Sequence, residues 1–217
     1  MKTKIPILFI LFFTLNVSSA QSLWLQTGFS YATAEYKYQD HDLLDDETFK
    51  PRFQIGALAE LPVTPIFSVN PGLILQTKGT YESYETLDPE SKAGSEINLW
   101  YFDIPVLLNL KIPFDKFGLF IEMGPYAGIG LSGNAKYYDN INEPFNEKDK
   151  FKWGKDEDLK RMEYGIMGGT GAEINRFKFG LSYTYSMRNV TNADDYAYKN
   201  RVLTLFVSYS VLRNTKN

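Results

Sequence analysis

Residues 97–131 read INLWYFDIPVLLNLKIPFDKFGLFIEMGPYAGIGL, and their alternation with a period of two constrains this chain more than any other feature. Trp100, Phe102, Ile104, Val106, Leu108 and Leu110 fall on one face, with Tyr101, Asp103, Pro105, Leu107 and Asn109 on the other. After a short turn at 111–116 the alternation resumes. Phe117, Leu119, Ile121, Met123, Ala127, Ile129 and Leu131 share one face, and Gly118, Phe120, Glu122, Gly124, Tyr126, Gly128, Gly130 and Ser132 share the other. A helix fits poorly, because its apolar period is about 3.6 and each interior glycine or proline costs about 1–3 kcal/mol. The stretch therefore predicts two long antiparallel strands with one wholly apolar face and one mixed, glycine-rich face. Lipid outside and a polar interior match that pattern. A water-soluble sheet turns its apolar face inward and is rarely so uniformly bulky.

The same alternation predicts six more strands. The first, 23–38, sets Leu23, Leu25, Thr27, Phe29 and Tyr31 against Gln26, Gly28, Ser30 and Ala32; the second, 51–61, sets Phe53, Ile55, Ala57, Ala59 and Leu61 against Arg52, Gln54, Gly56 and Glu60. The third, 66–81, alternates Phe67, Val69, Leu73, Leu75 and Thr77 with Ser68, Asn70, Gly72, Gln76 and Lys78. The sixth, 159–174, places Met162, Tyr164, Ile166 and Ile174 opposite Arg161, Glu163, Gly165, Gly169, Gly171 and Glu173. Asn175 and Arg176 form a two-residue turn into the seventh, where Phe177, Phe179, Leu181, Tyr183, Tyr185 and Met187 alternate with Lys178, Gly180, Ser182, Thr184 and Ser186. The eighth sets Leu203, Leu205, Val207, Tyr209 and Val211 against Thr204, Phe206, Ser208 and Ser210. Short turns and long polar loops join these strands alternately, the signature of an outer-membrane barrel. The expected fold is all-β, an eight-stranded antiparallel up-and-down transmembrane barrel with both termini periplasmic. Pairing the first strand with the last removes the edge that lipid could not satisfy.

The N-terminus fits export. Lys2 and Lys4 precede an apolar run at 5–15, and Ser18, Ser19 and Ala20 supply small residues for cleavage before Gln21. The run is short of the roughly 18 residues a membrane helix requires. Residues 1–20 are thus expected to be a secretory signal and 21–217 one barrel domain. Losing both lysines takes the net charge from −3 to −5, with no basic stripe for nucleic acid. The absence of cysteine excludes disulfides and a lipid-modified Cys. Tyrosines gather near the loop ends as Tyr36 and Tyr38, Tyr81 and Tyr84, Tyr137 and Tyr138, Tyr183 and Tyr185, Tyr196 and Tyr198, an interfacial girdle.

The inward face collects Arg52, Glu60, Lys78, Asp103, Glu122, Arg161, Glu163, Glu173 and Lys178. An eight-stranded barrel is just wide enough for side chains to fill, and a buried unpaired charge is very costly. These residues are expected to pair as a lumen charge network, Asp103 and Glu122 with basic partners. An ion path is the functional alternative. No catalytic, cofactor or metal site is expected. His41 is the only histidine; no serine lies in a strained G-x-S-x-G elbow, and one ring cannot make a His-based metal site. The acidic run 40–47 lacks the spacing of a known calcium loop. The four long loops, 39–50, 82–96, 133–158 and 188–200, carry formal charges of −4, −4, −2 and 0. Such an acidic rim suits a basic envelope protein, or divalent cations bridging it to lipopolysaccharide.

The run INLWYFDIPVLL at 97–108, EMGPYAG at 122–128, GIMGGTGAE at 165–173 and NRVLTLFVSYS at 200–210 resemble the PorT-like small outer-membrane β-barrel proteins of Bacteroidetes-type bacteria. The similarity spans nearly all of the chain after residue 20. It implies an outer-membrane location and contact with outer-membrane lipid and lipopolysaccharide. Some members of that group are implicated in type IX secretion or gliding, and no catalytic residues come with it. One departure is the C-terminus, where Tyr209 is followed by VLRNTKN rather than closing on an aromatic residue. The expected function is therefore a non-enzymatic structural or accessory component of an envelope or secretion assembly. The competing readings are a lipid-modifying outer-membrane enzyme built on His41, a small porin, and a secreted soluble barrel for an apolar ligand, which would need an apolar interior.

Overall fold

The computed structural model describes residues 22–38, 41–42, 50–85, 92–138, 147–155, 157–192 and 196–213. Eight strands form the wall: β1 Ser22–Tyr38, β2 Lys50–Pro62, β3 Phe67–Lys78, β4 Lys92–Pro113, β5 Gly118–Tyr138, β6 Met162–Ile174, β7 Phe177–Ser186 and β8 Tyr196–Arg213. Each pairs antiparallel with its neighbours in sequence, and β1 pairs with β8 from Ser22 opposite Arg213 to Tyr38 opposite Tyr196. The ring is closed, so no edge strand is left among them. Three short pieces extend the wall at the loop end. Tyr81–Glu85 continues β3 beyond Gly79, Glu147–Lys150 pairs with β5, and His41–Asp42 pairs with β1. Gly79 has φ 119°, a conformation a Cβ would strain, and it bends β3 there.

The alternation sorts side chains between outside and inside as the sequence predicts. Leu25, Phe29, Ile55, Leu108, Ile121, Met123, Leu181 and Leu205 all point out, Phe29 with 74% of its surface exposed. An apolar band of this extent is a surface for lipid, far larger than soluble monomers tolerate. The outward hydroxyls Thr27 and Thr170 each donate to a backbone carbonyl, Gln54 and Phe120 respectively, so neither offers lipid an unsatisfied group. Phe114 stacks on Phe117 at 4.8 Å and Phe177 meets Tyr209 at 5.2 Å, an aromatic level at the termini end. At the other end Tyr137 and Tyr183 are exposed, but Tyr198 is not part of a girdle. It is buried inside, because its even position on β8 faces the lumen. The side chains of Tyr36, Tyr38, Tyr84, Tyr138 and Tyr196 lie outside the described residues.

Several boundaries depart from the sequence reading. Residues 82–85, 92–96 and 133–138 extend strands, because long hairpins continue past the membrane-facing band. Ser132 was expected inside and is exposed. The register between β4 and β5 shifts from Trp100 opposite Ser132 to Tyr101 opposite Gly130, which reverses the facing beyond Leu131. Lys111, read as part of a turn, lies within β4 and faces the termini-side mouth.

The β6–β7 turn gives a first prediction. Asn175 has φ 54°, a left-handed conformation that costs an ordinary L-residue about 1–2 kcal/mol and that Asn and Gly adopt readily. Asn175→Val should lower the free energy of unfolding, measured in urea, by that amount, whereas Asn175→Gly should leave it unchanged within about 0.5 kcal/mol.

Candidate functional site: a layered lumen

On four strands the inward face carries an apolar residue between two polar or charged ones. Glu60, Leu58 and Gln54 succeed one another on β2; Asn70, Ile74 and Lys78 on β3; Asn109, Leu107 and Asp103 on β4; Glu173, Met167 and Glu163 on β6. Leu58, Ile74, Leu107, Tyr126 and Met167 pack together as one buried apolar cluster. The charges therefore form two separate sets, one on each side of this apolar layer.

The loop-side set centres on Lys78. Its ammonium donates to Asp103 at 2.9 Å and also to Glu163, and all three side chains have no exposure. Glu163 further accepts from the Tyr126 hydroxyl at 2.9 Å and from the Asn200 amide at 2.7 Å. The rings of Tyr101 and Tyr126 flank the ammonium at 4.6 and 4.9 Å. One lysine thus ties β3 to β4 and, across the barrel, to β6. Such a fully desolvated arrangement holds only when the carboxylates receive several donors.

The termini-side set is built on Glu60 and Glu173. Glu60 takes Lys111 at 2.6 Å, Lys178 at 3.1 Å and the Trp24 indole N–H at 2.8 Å. Glu173 takes Lys111 at 2.7 Å. Lys178 also lies 4.1 Å over the Trp24 ring and 5.4 Å from that of Phe120. Next to them Asn109 donates to Ser68, and Ser68 to Asn70. Below the set a cleft of about 800 Å³ opens at the termini end.

Of the nine charged residues read as lumen-facing, Lys78, Asp103 and Glu163 meet in the first set and Glu60, Glu173 and Lys178 in the second. Glu122 is buried beside the second set, where it interacts with the Asn70 side chain and lies in the field of Lys178. It sits opposite Asn109 and Gly169, with no base at ion-pair distance among the described residues. Its basic counterpart is Lys178, which acts on it from beyond ion-pair distance. Arg52 is half-buried near the loop end, where it donates to Glu96 at 3.3 Å and to the Ile97 carbonyl at 3.0 Å. Arg161, read as inward, is exposed just ahead of β6, where strand alternation no longer fixes its side.

Trp153, by contrast, packs at the loop-side mouth. The segment after Glu147–Lys150 folds back over the loop-side mouth, and Phe151, Trp153, Leu159 and Val190 pack on Ala34, Leu99, Tyr101 and Tyr198. Trp153 meets Tyr101 edge-on, with ring centroids 5.6 Å apart. Gly130 makes the space, since a Cβ there would collide with three atoms of the indole ring. Sequence reasoning treated 133–158 as a solvated polar loop and missed this cap. The available signal was a tryptophan and a phenylalanine inside a charged stretch, a placement that favours burial. His41 falls in the short strand at the loop end, and neither its side chain nor the acidic residues at 43–49 are among the described residues. No cluster of three or more metal-ligating side chains occurs among the described residues.

A family model described as "Outer membrane protein beta-barrel domain" matches residues 19–192. Among solved structures, the chain is similar to Ail, the attachment invasion locus protein of Yersinia pestis, with 15% identity, 88% of this chain and 99% of that chain covered, and a TM-score of 0.40. It is also similar to OprG from Pseudomonas aeruginosa, at 10% identity, 89% and 97% coverage and a TM-score of 0.44. Neisserial surface protein A gives 9% identity, 86% and 96% coverage and a TM-score of 0.42. No curated protein matches the chain.

Proposed function

Because the chain belongs to the outer membrane protein beta-barrel domain family, and so is a barrel of the outer membrane, we propose that it works as a closed, non-enzymatic barrel, a structural or accessory component of an envelope assembly. Residues 1–20 serve for export, both termini face the periplasm, and the loop end faces the cell surface. The observation that carries this reading is the doubly closed lumen. An aromatic and apolar cap lies over the Lys78 set, and an apolar layer and a second charged set lie beneath. Side chains that cross a lumen of this size leave little room for an open channel. Function then falls to the outer surface and the loops, where the resemblance to PorT-like proteins favours partners in the envelope, including a secretion machinery of the type IX kind.

Planar-bilayer recordings of the purified barrel are expected to show no stable conductance steps, and mild-detergent purification is expected to retain other envelope proteins. Reproducible openings that vanish on substituting a lumen residue would make it a small porin instead. Recovery of the barrel alone under every mild condition would remove the accessory role.

A further inference from the structure

We propose that the loop-side ends of β6, β7 and β8 form, on the outer wall, a binding site for the phosphate groups of lipopolysaccharide. The inference rests on the orientation proposed above, with the loop end at the cell surface.

Cations gather there and nowhere else on the lipid-facing wall among the described residues. Arg201 and Lys199 continue the outward row of Leu205 and Leu203 on β8. Arg188, just beyond β7, holds its guanidinium 5.9 Å from the centroid of the outward-facing Tyr164 ring, and that of Arg201 lies 5.6 Å from Tyr185. Arg161 is exposed immediately before Met162. Glu35 on β1 pairs with Arg201, whereas Arg161, Arg188 and Lys199 have no carboxylate at ion-pair distance among the described residues. The other half of the wall is different. Toward its loop side it presents Phe53 edge-on to Trp100 at 5.4 Å, with Phe102 and Leu131, and higher up its Lys136 is paired with Glu96.

Position and chemistry then select the ligand. Lysine or arginine on a lipid face is costly at the midplane and costs close to nothing at the interface, so the row stands at the headgroup level, next to the last outward Leu and Tyr. The Tyr164 ring beneath Arg188 orients its guanidinium, and, with Arg201 held by Glu35, the forks of Arg188 and Arg161 match phosphate oxygens with paired hydrogen bonds. The outer leaflet facing this height carries phosphorylated glycolipid. Formal charge counted loop by loop hides this sector, because Arg188 and Lys199 cancel against Asp194 and Asp195 within 188–200 and Arg161 and Arg201 lie outside the four loops.

The test uses the full-length folded barrel in neutral detergent, titrated with purified lipopolysaccharide and read by the rise in the temperature at which heat-modifiable gel mobility is lost. R161Q/R188Q/K199Q should bind at least tenfold more weakly than wild type. Enzymatically dephosphorylated lipopolysaccharide should bind wild type about as weakly as the intact lipid binds the variant. K116Q/R176Q, two exposed cations at the opposite rim, should bind as wild type does. Undiminished binding by the triple variant overturns the proposal, and so does equally tight binding of phosphatidylglycerol, which would make the attraction one to any anionic lipid. Should the triple variant fail to fold, R188Q and K199Q singly, each expected to lose several-fold, decide the matter. Conductance by the wild-type barrel would sink the closed-barrel reading while leaving this result intact.

Discussion

Lys78→Met should destabilise the barrel by about 3–5 kcal/mol, the cost of removing one partner from a buried ion pair and leaving the other charge uncompensated. The effect belongs at the upper end here, because the substitution strands two carboxylates, Asp103 and Glu163, neither of them exposed. Methionine keeps the length and apolar volume of the lysine stem, so packing changes little and the loss reports the charge. The measurement is urea unfolding from lipid vesicles, followed by heat-modifiable mobility. A second variant separates pairing from packing. Lys78→Met combined with Asp103→Leu and Glu163→Leu should recover most of the stability, since replacing a whole buried ionic set by apolar groups is often neutral or better. Glu122→Leu should cost about 1 kcal/mol or less, the net worth of an ordinary hydrogen bond, because Lys178 keeps its ion pair with Glu60 when the longer-range attraction of Glu122 is lost. Equal stability of Lys78→Met and wild type would show that water reaches the Lys78 set, and a narrow ion path would regain its place.

Trp153→Ala should release the loop-side cap. Truncating a buried aromatic to alanine costs about 3–5 kcal/mol when the side chain is fully enclosed; the half-buried Trp153 should lose on the order of 2–3 kcal/mol. That loss concerns the cap before the wall, because the indole packs on Tyr101 and over Gly130 rather than within a strand ladder. Limited trypsin digestion reads it directly. Lys152, Lys155 and Lys160 flank the cap residues, so wild type should resist cleavage there while the variant is cut quickly and its barrel stays heat-modifiable. Gly130→Leu should give the same digestion pattern with the tryptophan retained, since its side chain takes the space of the indole ring. The lumen should remain non-conducting in both variants, as the Lys78 set lies beneath the cap. Protection of all three lysines in both variants would mean that the cap is held by Leu159 and Val190 alone.

Much of this molecule is legible without coordinates. A period of two decides the side of the wall for Phe29, Ile55, Leu108, Met123 and Leu205 on one hand and for Lys78, Asp103, Glu163 and Lys178 on the other, because successive strand residues point to opposite faces whatever their neighbours are. Eight alternating segments joined by short turns and long loops fix the strand count and the closed, up-and-down order. Height along the barrel is another matter. It depends on how far each strand is staggered against the next, which no single strand records. Lys78 therefore finds Asp103, 25 residues away, and Glu163, 85 residues away, while Glu122, equally inward, has no base at ion-pair distance among the described residues. The same stagger sets an apolar layer between two charged sets that the sequence presents as one list. Irregular backbone supplied the rest. One register shift turned Ser132 outward, Lys111 lies in a strand rather than a turn, a fold-back of the longest loop put Trp153 inside, and Arg161 precedes its strand and is exposed. Alternation governs only residues held in a ladder; beyond it, burial is decided by what the closed barrel leaves open to fill.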